Sequence, residues 1–308
     1  MVIKAPKLKA NANIKIIAPA SPPDLKILST SISLLKKFGF NVSLGENLRR
    51  LVQRADLAAP DKDRAAELNN AFKDDSVDAI FCARGGYGSM RILSEIDYDA
   101  IKAHPKIFIG YSDITALHLA IHKLTGLITF HGPMPGVDAD EMRKPSFQNV
   151  ISVLKGESKD IANNINRVVK YISPGKAEGV SEGTNISLFA SLIGTDYMPD
   201  TRGKIAFFED IATTSGDVDR YLFRLKLAKA LDKFNGFVFG DFTDIPKSEE
   251  VLPSMEEIIE DYMLELKKPS LYGLPFGHGD DQMLIPLNVK MRISSDEPYI
   301  QLLEDVVN

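Results

Sequence analysis

Short apolar runs alternate along the first half of the chain with longer stretches whose apolar residues recur every three or four positions. Ile14-Lys-Ile-Ile-Ala18 predicts a buried strand, stopped by the breaker cluster Pro19-Ala-Ser-Pro-Pro23. Asp24 is placed to cap a helix in which Leu25, Leu28, Ile32, Leu35 and Phe38 share a face until Gly39 ends it. Asn41 to Leu44 predicts a second strand, and Asp61 to Lys73 a charged amphipathic helix with Leu68 and Phe72 inward. Val77 to Ala83 reads as a strand running into Arg84-Gly-Gly-Tyr-Gly88, after which Met90, Leu93 and Ile96 suggest a helix. Lys106 to Tyr111 repeats the pattern, followed by a helix from Asp113 to about Lys123. Strands alternating with helices predict a parallel, doubly wound sheet with right-handed crossovers. Its functional crevice belongs at the carboxyl ends of the strands, where the loops Arg84 to Gly88 and Gly110 to Asp113 fall.

From about Glu141 to Ser181 the chain turns polar, which suggests a connection between two domains, 1–140 and 183–308, through 141–182. In the second half, Gly183 to Gly194 reads as a helix, Lys204 to Phe208 as a strand ending at Glu209-Asp210, and Val218 to Leu231 as a helix. Gly236 to Gly240 predicts another strand and Pro253 to Lys267 another helix, before an extended segment, Leu271 to Gly277, leads to His278.

Bulk composition narrows the function classes. With 308 residues, 44% hydrophobic and 26% charged, the chain can bury one large core or two medium ones. A net charge of -5 with dispersed Lys and Arg offers no field for nucleic acid. The single cysteine, Cys82, excludes an intramolecular disulfide and a cysteine-based zinc site, and its place inside an apolar strand suggests packing. Lys4, Lys7 and Lys9 precede Ile14 to Ala18 as in a signal peptide, but that run is short and broken by Lys15. No run approaches a membrane span, so the expectation is a cytoplasmic protein without a membrane partner.

Gly110-Tyr-Ser-Asp at a strand-to-helix turn has the logic of a nucleophile elbow, although Ile114 stands where the usual G-x-S-x-G has glycine. The other reading of Ser112 is a helix cap. A serine becomes a nucleophile only with a base and a group to hold that base. His278, between two glycines in a Pro-flanked loop, and Glu209, at the end of an apolar strand, are of the right types. Arg84-Gly-Gly-Tyr-Gly88 offers backbone N–H groups suited to an anion or oxyanion, and lacks the Gly-Lys-Ser/Thr of a phosphate loop. His118 and His122 lie on one helix face, but no Glu of H-E-x-x-H accompanies them, so they read as core or surface histidines.

Taken in order, Ile16-Ile-Ala-Pro-Ala-Ser-Pro22, Asp61 to Ala71, Ala83-Arg-Gly-Gly-Tyr-Gly88, Gly110-Tyr-Ser-Asp-Ile-Thr-Ala-Leu-His118, His131-Gly-Pro-Met134, Phe208-Glu-Asp-Ile211 and Leu274-Pro-Phe-Gly-His278 resemble the LD-carboxypeptidase family of serine peptidases. That family includes the immunity peptidases that inactivate microcin C. The resemblance implies a Rossmann-like (flavodoxin-like) α/β N-terminal domain, a smaller β-rich α+β C-terminal domain, and a homodimer. It implies a triad of Ser112, Glu209 and His278, an oxyanion hole from the N–H groups of Asp113 and Gly86, and no metal or organic cofactor. The substrate it implies is a murein tetrapeptide that loses its terminal D-alanine in cell-wall recycling, with Arg84 and Gly85 as candidate substrate contacts by position. Gly183-Thr-Asn185 and Asn288 depart from the family's usual Gly-Gly-Asn and Gly, which bears on the substrate. Two alternatives stay open: an immunity-type peptidase cutting a peptidyl-nucleotide or acyl-sulfamoyl toxin, and a non-catalytic small-ligand binding protein.

Overall fold

The structure, a computed structural model, describes residues 2–50, 56–162, 167–246 and 253–308. The first half builds a parallel sheet from β1 (Asn13–Ile17), β2 (Asn41–Leu44), β3 (Ala79–Cys82), β4 (Ile107–Gly110) and β5 (Thr129–His131). The second half contributes β6 (Lys170–Ser173), β7 (Lys176–Asn185), β8 (Lys204–Ile211), β9 (Gly236–Thr243), β10 (Ser270–Tyr272), β11 (Ile285–Leu287), β12 (Lys290–Ser294) and β13 (Ile300–Leu302). One six-stranded sheet has the order β11-β5-β4-β3-β1-β2, and a seven-stranded sheet the order β13-β12-β7-β8-β9-β10-β6. β3 and β4 are buried along their whole lengths, as expected for strands covered on both faces. β7, β8, β9 and β10 are also mutually parallel, with antiparallel strands at both margins. The chain is thus an α/β protein with a doubly wound first sheet and a strand-rich second one.

The helices follow from local chemistry. Asp24 accepts hydrogen bonds from the Lys26 and Ile27 N–H groups and starts the helix Leu25–Lys37, and Gly39 leaves it at positive φ. Leu28 and Leu35 are buried there, while Leu25 is half exposed at the first turn. In Asp61–Lys73, Leu68 and Phe72 are fully buried as the periodicity predicts. The segment after Gly88 is instead a 3₁₀ helix, Ser89–Glu95, followed by a separate short helix, Tyr98–Ala103, capped by Asp97.

The stretch 183–194 differs from the sequence reading. Gly183 to Asn185 finish β7, and only Ile186–Ser191 is helical, with the Asn185 side chain accepting from the Leu188 N–H. Gly183 has φ 136, and a Cβ there would stand 1.9 Å from the Phe207 carbonyl oxygen, so close strand approach explains the glycine. Within 141–182 lie the helix Pro145–Leu154, whose Phe147, Val150, Ile151, Val153 and Leu154 are buried, and also β6 and most of β7. No helix among the described residues is long and apolar enough to cross a membrane.

Candidate active site

β4 delivers the chain into a sharp turn. Gly110 ends the strand where a Cβ would lie 3.0 Å from Cys82 and 3.1 Å from Ile114, so glycine lets the turn close onto β3. Ser112 then adopts φ 63, a left-handed conformation that costs a non-glycine residue about 1 kcal/mol and gathers at functional positions. One 3₁₀ turn, Ser112–Ile114, feeds the helix Thr115–Thr125. The capping positions of these two segments are Tyr111 and Ile114, and neither makes a side-chain cap. Ser112 is therefore not a helix cap; its conformation is that of an elbow. Cys82, fully buried beneath, has its thiol pushed well up by burial and serves packing.

The neighbouring strand ends are locked around this elbow. A Cβ on Gly85 would fall 2.8 Å from Ser112 Cβ, 3.0 Å from the Tyr111 carbonyl and 3.1 Å from the Asp113 nitrogen, so the loop rests directly on the turn. Gly86 is at φ 88, above Ser21, whose hydroxyl accepts from the Tyr87 N–H at 3.0 Å. Asp113 is buried; its carboxylate accepts from the Ser89 N–H at 2.7 Å, and the Ser89 hydroxyl donates to its carbonyl. Arg64, fully buried, donates to the carbonyls of Pro19, Ala59 (3.0 Å) and Gly88 (2.9 Å), joining the loops after β1 and β3. Arg84 is exposed and donates to the Pro22 carbonyl at 3.1 Å, on the same rim.

From the second sheet, β8 carries Glu209, fully buried two residues before the strand's end, and the segment after β10 carries His278 over it. His278 Nδ1 lies 2.7 Å from Glu209 Oε2. The His278 ring stands edge-on to Tyr111, with centroids 5.0 Å apart, beside Ser112 in sequence. Gly277, at φ 111, makes this crossing feasible, since a Cβ would meet Glu209 Oε2 at 2.7 Å. A carboxylate facing Nδ1 requires the N–H there and leaves Nε2 as the basic nitrogen. Burial opposes charge on His278, but the Glu209 carboxylate outweighs it and holds the imidazole above its ordinary 6.5. Burial likewise lifts the Glu209 carboxyl, against the pull of the imidazole. The second oxygen, Oε1, is buried without a hydrogen-bond partner.

Sequence reasoning did not single out the residues that support the histidine's surroundings. The Tyr111 hydroxyl donates to Asp138 Oδ1 at 3.1 Å, the Gln282 amide to the same oxygen at 3.2 Å, and the Met134 N–H to Oδ2 at 2.7 Å. Burial raises the Asp138 carboxyl to about 6. Tyr111 sits inside Gly110-Tyr-Ser-Asp and was available as a signal; Asp138 and Gln282 carry none. Asn185 donates to Asp210 at 3.0 Å, bracing the strand end next to Glu209. His118 and His122 are both buried, and no group of three or more His, Cys, Asp or Glu among the described residues is arranged to hold a metal.

Comparison with known proteins agrees with this architecture. Residues 14–132 match the LD-carboxypeptidase N-terminal domain and residues 178–293 the LD-carboxypeptidase C-terminal domain. A probable murein peptide carboxypeptidase of Bacillus subtilis is 39% identical over 300 residues, spanning 96% of this chain and 92% of that one. The microcin C7 self-immunity protein MccF, solved in complex with aspartyl sulfamoyl adenosine, superposes with a TM-score of 0.88 at 26% identity, covering 99% of this chain and all of the other. A muramoyltetrapeptide carboxypeptidase from Oxalobacter formigenes gives a TM-score of 0.78 at 27% identity, over 94% and 98% of the two chains. With both halves matched in order and a relative at this identity over nearly its whole length, the chain belongs to the LD-carboxypeptidase family.

Proposed function

We propose that this protein is a serine-type LD-carboxypeptidase that removes the terminal D-alanine from murein tetrapeptides, with Ser112 as nucleophile, His278 as base and Glu209 as the group that holds the base. The observation that carries this reading is the buried Glu209–His278 pair docked on Tyr111, adjoining a serine at φ 63. His278 Nε2 takes the hydroxyl proton as Ser112 Oγ attacks the scissile carbonyl. Glu209 keeps the proton on Nδ1 and stabilises the imidazolium. The N–H groups of Asp113 and Gly86 receive the oxyanion; losing one such donor typically costs about 3 kcal/mol. His278 then protonates the leaving amine of D-alanine, and water, deprotonated by the same nitrogen, releases the acyl group from Ser112. Arg84, exposed on the rim, is the cation we assign to the substrate's terminal carboxylate. The reading extends to a cytoplasmic homodimer acting in cell-wall recycling.

The similarity to MccF supports a second reading, cleavage of an aminoacyl-sulfamoyl nucleoside. One of the solved MccF structures is a tryptophan-to-phenylalanine variant holding adenosine monophosphate, whereas this chain has no tryptophan, so a base would need Tyr or Phe. The test is to incubate wild type and Ser112→Ala separately with a murein tetrapeptide and with aspartyl sulfamoyl adenosine, and to identify products by mass. The proposal expects loss of D-alanine from the tetrapeptide with wild type only. Turnover by Ser112→Ala at the wild-type rate would end the serine mechanism, and cleavage of the nucleoside alone would transfer the assignment to the second reading.

A further inference from the structure

Between its two anchored ends, the segment that carries His278 has a tip that lies outside both ladders. Its neck is closed by the Met283 N–H on the Pro275 carbonyl at 2.7 Å and by the Asp241 N–H on the Phe276 carbonyl at 2.9 Å. Beyond that neck, residues 277–282 make no backbone–backbone hydrogen bond among the described residues. Glycines flank His278 on both sides, and Gly277 stands at φ 111. Such a backbone does not by itself fix an imidazole; side chains from other elements must.

Four side chains among the described residues reach the tip. Glu209 meets His278 Nδ1. Asp241 lies under Gly279, where a Cβ would fall 2.0 Å from its Oδ2, and is paired with Arg167 at 2.6 Å. Asp138 accepts from the Gln282 amide at 3.2 Å. The fourth is Lys144, whose ammonium donates to the Asp280 carbonyl and to Asp281 Oδ1 at 2.8 Å, with Glu141 Oε2 at 3.1 Å. The Lys144 ammonium holds the Asp281 carboxyl below its ordinary range. Glu209 and Asp241 belong to the second sheet, whereas Asp138 and Lys144 come from the first body of the molecule. Of those two, only Lys144 grips the main chain of the tip. Its own footing is firm: it precedes the helix Pro145–Leu154, whose buried Phe147 packs edge-on against Phe38 with centroids 5.5 Å apart, and the buried Glu141 accepts from the Ser146 hydroxyl at 2.7 Å.

We propose that Lys144 is a positioning residue for the base: by gripping the Asp280 carbonyl and the Asp281 carboxylate it draws the tip toward the body that carries Ser112 and keeps His278 Nε2 presented to that serine. Glu209 fixes one ring atom and leaves the imidazole able to pivot about it; a second grip two residues downstream removes that freedom. The catalytic consequence rests on the serine-peptidase reading; the grip on the tip does not.

Two assays separate them. Lys144 is 36% exposed, so a methionine there leaves the core intact. In Lys144→Met, tetrapeptide kcat should fall at least about tenfold with KM held within about twofold. Lys144→Arg, which keeps a cation with several donors, should recover most of that loss. Asp281→Asn should cost less than Lys144→Met and add nothing in the double variant, because it acts through the same ammonium. A Met variant at the wild-type kcat, an Arg variant no better than Met, or losses that multiply in the double variant refute the positioning role. A protease that cuts on the amino side of Asp reads the tip without recourse to activity. Its cleavage of the folded protein at Asp280 and Asp281 should quicken at least about fivefold in Lys144→Met and stay near wild type in Lys144→Arg. Equal cleavage of wild type and Lys144→Met would overturn the grip itself. Turnover surviving in Ser112→Ala would instead strike the peptidase reading and leave the grip, as the protease reports it, standing.

Discussion

Replacing Glu209 by Gln separates catalysis from stability. The carboxylate oxygen lies 2.7 Å from His278 Nδ1 and enforces the tautomer with a bare Nε2. A glutamine side chain can present its NH₂ to Nδ1, stabilising the tautomer whose Nε2 is already protonated and cannot receive the Ser112 proton. In serine peptidases loss of the triad carboxylate costs about 10⁴ in kcat, so on the proposed mechanism a fall of roughly 10³ to 10⁴, or about 4 to 5.5 kcal/mol of barrier, is expected. The pH profile supplies an independent sign. His278 must be neutral to act as base, and Glu209 holds it above 6.5, so wild-type kcat/KM should still be rising with pH beyond 6.5. In Glu209→Gln burial, which disfavours the imidazolium, is opposed only by the weaker pull of Asp210 and Asp138, and the acid limb should move to lower pH. Stability should behave otherwise. A raised histidine stabilises the fold fully below its unfolded value of about 6.5 and loses that contribution as pH rises through the folded value. At pH 8 the substitution thus forfeits little, and it removes a buried carboxylate whose Oε1 has no partner. Thermal unfolding at pH 8 should be unchanged or higher while tetrapeptide hydrolysis collapses. A variant with kcat within about tenfold of wild type and an unmoved acid limb would refute the tautomer argument.

Three substitutions test the supports around the elbow. Gly85→Ala places a methyl 2.8 Å from Ser112 Cβ and should lower kcat by more than about tenfold while costing about 1–3 kcal/mol in urea unfolding. Gly183→Ala meets the Phe207 carbonyl at 1.9 Å from a positive φ, so a loss of at least about 2 kcal/mol in the same assay is expected, and a neutral result would contradict the strand approach described here. Arg64→Met strands three buried carbonyls and should cost about 3–5 kcal/mol, with Arg64→Lys recovering only part, because one ammonium cannot span the acceptors that the guanidinium fork reaches.

What could be read from the chain alone was whatever local chemistry or hydrophobic period made visible. Asp24 and Gly39 bracket their helix by capping and by φ, and Ile107 to Gly110 announces itself as an apolar run ending in glycine. β7 was invisible because the buried positions along its first six residues are Ala177, Gly179 and Ser181, small residues that register as loop in any hydrophobic count. Ser181 is inside because its hydroxyl engages the Pro286 and Val289 carbonyls, partners more than a hundred residues away. The same limit hid the partners of His118 and His122: spacing put them on one face, but the Thr129 hydroxyl that both rings face comes from β5, and Glu182, which His122 also faces, from β7. Ser112, Glu209 and His278 stood out individually as residue types at strand ends; the docking of Glu209 and His278 onto Tyr111 needed three dimensions.

The segment bearing His278 leaves the seven-stranded sheet at β10 and, within thirteen residues, enters the six-stranded sheet as β11, antiparallel to β5. It is a strap anchored at both ends, not a loop hanging from one of them. Neither sheet alone holds this imidazole, so a chimera that exchanges halves between relatives must carry a compatible β5 edge along with its β11. Where those edges are mismatched, the expected casualty is the register of the base above its carboxylate, before either sheet is lost.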